Sequence, residues 1–169
     1  MKYKITSFLF AIALIALAFY ACEPDDLCEN TVVTPRLVVR TYSAASPTTV
    51  SPVNNLLVYG EGSSLVLSYT SLDSLALPLK IDANSTTYVM VKNAVYNTST
   101  GELASGSAAT VTFTYDVENE FVSKGCGFKA VFKNLDAAVE DPANSWITNI
   151  NILNSTVENE SNAKVHIYH

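Results

Sequence analysis

Residues 110–117 read TVTFTYDV, with Val111, Phe113, Tyr115 and Val117 on one parity and Thr110, Thr112, Thr114 and Asp116 on the other. Successive side chains of a β-strand point to opposite faces, so this alternation describes a strand with one buried and one solvated face. The pattern then repeats. SLALPLKI, residues 74–81, sets Leu75, Leu77, Leu79 and Ile81 opposite Ser74, Ala76, Pro78 and Lys80. Similar runs are PRLVVRTY, NLLVYG, SSLVLSYT, TTYVMVK, GFKAVFKNL, ITNINILN and AKVHIYH.

Between these runs lie AASPTTVSPVNN, NTSTGELASGSA, EDPANS and NSTVENESN, rich in the Ser, Thr, Asn, Asp, Gly and Pro that close turns. No stretch carries a sustained helical period. About nine short strands spaced by turn signals predict an all-β fold: a single antiparallel sandwich, immunoglobulin-like or related, over residues 35–169. A closed barrel is the alternative, because strand count does not separate two packed sheets from one closed sheet. Pro78 has no N–H for a ladder, which puts its strand at an edge or a bulge. Trp146, the single tryptophan, reads as a core anchor. The repeated string VENE, at 117–120 and 157–160, reads as two acidic hairpin turns.

The N-terminus is MKYKITSFLFAIALIALAFYAC: two lysines, an apolar run from Phe8 to Ala21, and a cysteine. That is the layout of a secretory signal over residues 1–21. The run falls short of the ~20 residues that span a bilayer, and no Lys/Arg cluster follows it. FYAC resembles a bacterial lipobox, which implies lipidation of Cys22 and attachment of the mature chain to a membrane. Residues 22–34 then form a lipidated acidic tether. Residues 23–34 reach at most ~40 Å when fully extended. Glu23, Asp25, Asp26 and Glu29 suit a solvated linker, and the acidic patch also resembles the export signal of surface lipoproteins in Bacteroidota. The expected location is the outer membrane, at its periplasmic face or at the cell surface.

Removal of the signal takes Lys2 and Lys4 away, so the formal charge moves from −6 to −8. With no clustered Lys or Arg, the chain is a poor partner for nucleic acid. Once Cys22 is acylated, Cys28 and Cys126 remain. Export to an oxidising compartment favours a disulfide between them, with two free thiols as the alternative.

Catalytic chemistry finds little footing. Cys126, between Gly125 and Gly127 and near Lys124 and Lys129, is the one plausible nucleophile, yet Cys28 offers it a simpler use. His166 and His169 stand three apart and point to opposite faces of a strand, which does not suit one metal ion. Glu118, Glu120, Glu158 and Glu160 offer a weak calcium site only if their turns meet. No HExxH, paired CxxC, EF-hand or GxSxG motif occurs. No catalytic residue, metal or cofactor is expected. Asn84, Asn97, Asn154 and Asn159 begin sequons, expected to be idle in a bacterial chain. Ser74, in DSL, resembles an O-glycosylation site of Bacteroidota.

Taken in order, CEPDDLC, TPRLVVRTY, LPLKIDANSTTYVM, GCGFKAVFKNL and VENESNAKVHIYH resemble an uncharacterised family of small flavobacterial lipoproteins. The likeness runs across nearly all of the mature chain. It implies an exported, lipid-anchored β-domain of unknown function and brings no catalytic residues with it.

The expectation is therefore a non-catalytic binding or structural module of the cell envelope, held by its lipid and docking with an envelope protein. The segments 44–55 and 97–108, as end loops, are candidate contact surfaces. The alternative is a carrier of a small apolar or sugar ligand, whose cavity would be lined by residues such as Phe113, Tyr115, Phe128 and Phe132.

Overall fold

The computed structural model describes residues 34–97 and 99–169. The signal segment, Cys22, Cys28 and nearly all of the tether lie outside the described residues. The chain forms two compact units, Met1–Val32 with Val122–Gly127, and Val33–Phe121 with Phe128–His169. Of the first, the described part is residues 122–127, two strand ends joined by the turn 124–126, where the Cys126 N–H donates to Ser123 Oγ at 3.0 Å. The second carries the sandwich.

Its strands are β1 (Leu37–Tyr42), β2 (Val53–Gly60), β3 (Val66–Leu72), β4 (Ser74–Leu77), β5 (Ser85–Asn97), β6 (Glu102–Ser123), β7 (Gly127–Val139), β8 (Asn149–Ile152) and β9 (Val165–Tyr168). They order as β4-β1-β9-β8 in one sheet and β3-β2-β5-β6-β7 in the other. One apolar core joins the inner faces of both sheets: Leu37 and Val39 of β1, Leu75 and Leu77 of β4 and Ile167 of β9 meet Val58, Met90, Val111, Phe113 and Phe132. Two sheets enclosing a filled interior make a sandwich. The alternation read from TVTFTYDV holds, with Val111, Phe113 and Tyr115 all buried. Trp146 packs against the core edge, as expected, and its indole N–H donates to the Met90 carbonyl at 3.1 Å.

Four expectations need correction. The sandwich is not purely antiparallel, because β1 runs parallel to β9, with Val39 opposite Val165 and Tyr42 opposite Tyr168. A parallel pair needs a crossover rather than a hairpin, and here the whole intervening chain supplies it. Ile81 is not on a buried face. Strand β4 stops at Leu77, just before Pro78, and Ile81 is left 63% exposed. Phe128 is 67% exposed and packs its ring on exposed Phe121 at 5.3 Å. Finally, residues 102–108 are strand, not loop, since β5 offers them a ladder, with Asn97 opposite Glu102 and Val95 opposite Ser105. Ladder bonds override the weak strand preference of Gly and Ser there.

Pro78 ends an edge strand, as its missing N–H requires. The segment after it is fastened inward by three side chains. Lys80 N–H donates to Thr86 Oγ1 at 2.9 Å, and Tyr115 Oη donates to the Lys80 carbonyl at 2.8 Å. The phenol has one proton, so the Thr86 hydroxyl donates in their mutual 2.6 Å bond. Tyr88 Oη donates to the Pro78 carbonyl. Burial pushes the Tyr88 phenol up to about 12, with Tyr115 adding to the shift, which keeps it a donor.

Strand β6 runs for 22 residues, ~70 Å if it were straight, so it has to bend. Gly106 sits opposite the point where the β5–β6 register slips between Lys92 and Val95. Its φ is 148°, and a Cβ there would lie 2.5 Å from Val91 Cγ1 and 3.1 Å from the Ala94 Cα. Gly106→Ala is therefore expected to lose about 2 to 3 kcal/mol through overpacking against backbone. Gly62 has φ 77° with nothing near, so Gly62→Ala should lose only about 1 kcal/mol of left-handed strain. Urea denaturation of both variants checks this. Equal losses would show that crowding at the bulge contributes nothing.

Candidate ligand-recognition face

The inward residues of β1, β8 and β9 leave their neighbours on the opposite face of the sheet. Register partners share a face, and the pairings align two rows across it. Ser74, Arg40, His166 and Asn151 form one row, and Tyr42, Tyr168 and Asn149 form the next. Arg40, Asn149 and Asn151 are exposed, and Tyr42, His166 and Tyr168 are half-buried. The three rings touch one another. Tyr42 lies 4.2 Å from His166 and 5.9 Å from Tyr168, and His166 lies 6.4 Å from Tyr168.

A cleft of about 280 Å³ opens beside these rows, lined by Ala44, Pro47, Thr148, Asn149, Asn151 and Tyr168. Its wall is the segment 43–49, held by Ser43 N–H on the Thr49 carbonyl at 3.0 Å and Ala44 N–H on the His169 carbonyl at 3.1 Å. Thr148 Oγ1 donates to the Tyr168 carbonyl at 2.9 Å. Half of the loop expected at 44–55 thus stands beside the face, while residues 53–55 belong to β2.

Charge on the face is slight. Arg40 pairs loosely with Asp73 at 3.4 Å, the arginine exposed and the aspartate half-buried, and such solvent-accessible pairs contribute little. Burial lowers the His166 pKa below the ordinary imidazole value, and Arg40 adds to the shift. The ring is therefore neutral at physiological pH. The sequence left this group of residues unnoticed. Its trace is the spacing Arg40-x-Tyr42, Asn149-x-Asn151 and His166-x-Tyr168, which becomes a surface only once β1 is known to pair with β9.

The other candidates fall elsewhere. Cys22 and Cys28 lie outside the described residues. The Cys126 sulfur is engaged and does not titrate as a free thiol. His166 and His169 point apart, and His169 turns in beside Trp146, where Lys92 Nζ lies 3.0 Å from Nδ1 and the Ser51 carbonyl 2.9 Å from Nε2. A carbonyl only accepts, so Nε2 carries the proton and Nδ1 accepts from the lysine. Asn97, Asn154 and Asn159 each accept a backbone N–H two residues on, which gives these sequon asparagines a part in turns. Ser74 opens β4 and is exposed.

The acidic residues also depart from expectation. Glu118 and Glu120 lie within β6 rather than in a turn, facing Lys133 at 3.8 Å and Lys129 at 3.1 Å. Among the described residues no group of three or more His, Cys, Asp or Glu side chains is placed to hold a metal ion. Glu160 stands apart from them, gripped by Arg36 through Nε at 3.0 Å and Nη2 at 2.7 Å. That fork draws the start of β1 to the turn before β9.

The Arg36 hydrogen bonds hold the Glu160 carboxyl below the ordinary glutamate value. A depressed folded-state pKa gives stability that is present above the unfolded value and lost as pH falls through the folded one. Glu160→Gln is expected to lose ~0.5 kcal/mol at pH 7, since the pair is exposed and screened. The difference from the parent should shrink as pH falls below the ordinary glutamate range and through the lower folded-state pKa. Thermal melts across a series of pH values from neutral into strong acid read it, and a gap that stays constant over the whole series would count against the ion pair.

A family model described as a family of unknown function (DUF6452) matches residues 55–169. The chain belongs to this family. The match opens within β2 and takes in Asn149, Asn151, His166 and Tyr168, leaving Arg40 and Tyr42 ahead of it. No curated protein and no solved structure matches the chain.

Proposed function

We propose that the protein is a non-catalytic recognition module of the bacterial cell envelope, lipidated at Cys22 and held close to the outer membrane by the tether 22–34. The observation that carries this reading is the outer face of β1, β8 and β9, whose side chains offer ring faces and hydrogen bonds. His166 makes no hydrogen bond within the described residues that would orient it as a base. Ser74 lies two strands away, about 9 to 10 Å by sheet spacing, too far for the contact a nucleophile and its base require. Recognition is the chemistry these groups supply.

The anchor rests on the sequence. Each buried acyl methylene contributes ~0.8 kcal/mol, so a multiply acylated cysteine holds firmly. A Cys28–Cys126 disulfide completes the reading, supported by the engaged Cys126 sulfur and by export. Labelling of cells with a palmitate analogue tests the anchor: the parent chain is expected to be labelled in the outer-membrane fraction, and Cys22→Ser to be unlabelled and released. Label retained in that variant overturns the anchor. Crosslinking in intact cells is expected to capture envelope components. Capture of none overturns the docking role.

One observation favours a carrier as the second reading. Leu65, Leu67, Leu79 and Tyr88 line an apolar groove of about 300 Å³ beside β3, near the lower size limit of small-molecule sites. It is not the cavity expected from sequence, because Phe113, Tyr115 and Phe132 fill the core and Phe128 lies outside it.

A further inference from the structure

The outer face of β1, β8 and β9 combines features that select one ligand chemistry. Three rings in mutual contact present partly exposed π-faces. Beside them Asn149 and Asn151 are exposed, and neither side chain makes a hydrogen bond within the described residues. Each carboxamide thus keeps both its donors and its acceptor for a ligand. The single cation, Arg40, has Asp73 as its counter-charge. An anion would need several fixed positive groups, and a cation would need carboxylates in the cleft, where none of the lining residues is acidic. An apolar ligand would leave the amides desolvated and unpaired, at ~1 to 3 kcal/mol each.

A ligand that is uncharged, dense in hydroxyls and equipped with flat C–H faces meets all of these conditions. We propose that this face binds a neutral polysaccharide, with a sugar ring on Tyr168 and its hydroxyls bonded to Asn149 and Asn151. The cleft walled by Ala44 and Pro47 receives the next residue of the polymer, since both amides and Tyr168 line it as well. An extended chain lies along the rows rather than ending in a closed pocket. The proposal rests on the recognition reading above and names the ligand for that same face.

Affinity electrophoresis of the full chain in detergent micelles tests it, in gels containing galactomannan, xyloglucan or laminarin, with alginate as the anionic control. Retardation is expected in at least one neutral gel and none in alginate. Tyr168→Ala and Asn149→Ala/Asn151→Ala should each weaken binding about tenfold, with circular dichroism unchanged because these side chains lie outside the core. Leu65→Ala, in the apolar groove, should bind as the parent does. Failure in all three neutral gels, retardation by alginate alone, or full binding by the Tyr168 and asparagine variants overturns the proposal. A chain that is lipidated and crosslinks to envelope components yet fails in every gel sinks this inference alone. A chain that is retarded but never labelled by palmitate sinks only the anchor.

Discussion

Replacing Phe113 by alanine is expected to cost about 3 to 5 kcal/mol, because a large ring would leave a cavity that the two sheets cannot close. Phe113 is 0% exposed, lies opposite Thr86 in the β5–β6 ladder, and meets the Tyr88 ring at 6.5 Å. Single domains have only ~5 to 15 kcal/mol of net stability, so this is a large share of the whole. In a thermal melt the shift amounts to roughly 10 to 20 °C for a domain of this size. Phe128→Ala is the matched comparison. It removes the same atoms from a ring that is 67% exposed and touches chiefly Phe121, so the expected loss is about 1 kcal/mol or less. Urea unfolding of the two variants, at equal m-value, decides the matter. Similar losses would mean that the two sheets do not close on Phe113 as described.

That contrast also marks how far the sequence could be read. Within one strand, parity separates inside from outside, and Val111, Phe113 and Tyr115 fall where TVTFTYDV places them. Parity does not say where the facing sheet ends. Phe128, Ala130 and Phe132 share a parity in β7, but only the last two reach the core, while Phe128 overruns it. The same limit explains Ile81, whose alternation continues past the point where β4 has stopped. Composition misleads in the other direction at 102–108. Gly and Ser there read as loop, but β5 supplies the ladder, and the glycine gives the close approach that the bulge needs.

The outer face of β1, β8 and β9 was hidden for a third reason. Arg40 and Tyr42 lie near the start of the domain and His166 and Tyr168 at its end. Each pair is an unremarkable outward-facing alternation by itself. Their meaning comes from a parallel pairing that no local signal announces, since strand register is fixed by the turn only in hairpins.

Breaking the proposed Cys28–Cys126 bridge is expected to be as damaging as emptying the Phe113 site, by an unrelated route. The bridge closes a loop of about a hundred residues, for which lost chain entropy in the unfolded state corresponds to ~4.7 kcal/mol at 25 °C, less any strain in the folded state. Six of the nine strands, β1 through β6, lie inside that loop, so the constraint acts on most of the chain that must be ordered. Phe113 stabilises through contacts in the folded core and the bridge through restriction of the unfolded ensemble, so the losses from Phe113→Ala and Cys126→Ser should add. The losses from the two cysteine variants, by contrast, should not add. Cys28→Ser and Cys126→Ser each remove the same bond, so either alone should lower stability by the same amount, and the double variant should be no worse than the single ones. Intact mass should rise by about two daltons on reduction, from two added hydrogens. Additive losses from the two cysteine variants, or alkylation of both thiols in denaturant without reductant, would show that these sulfurs are not partners.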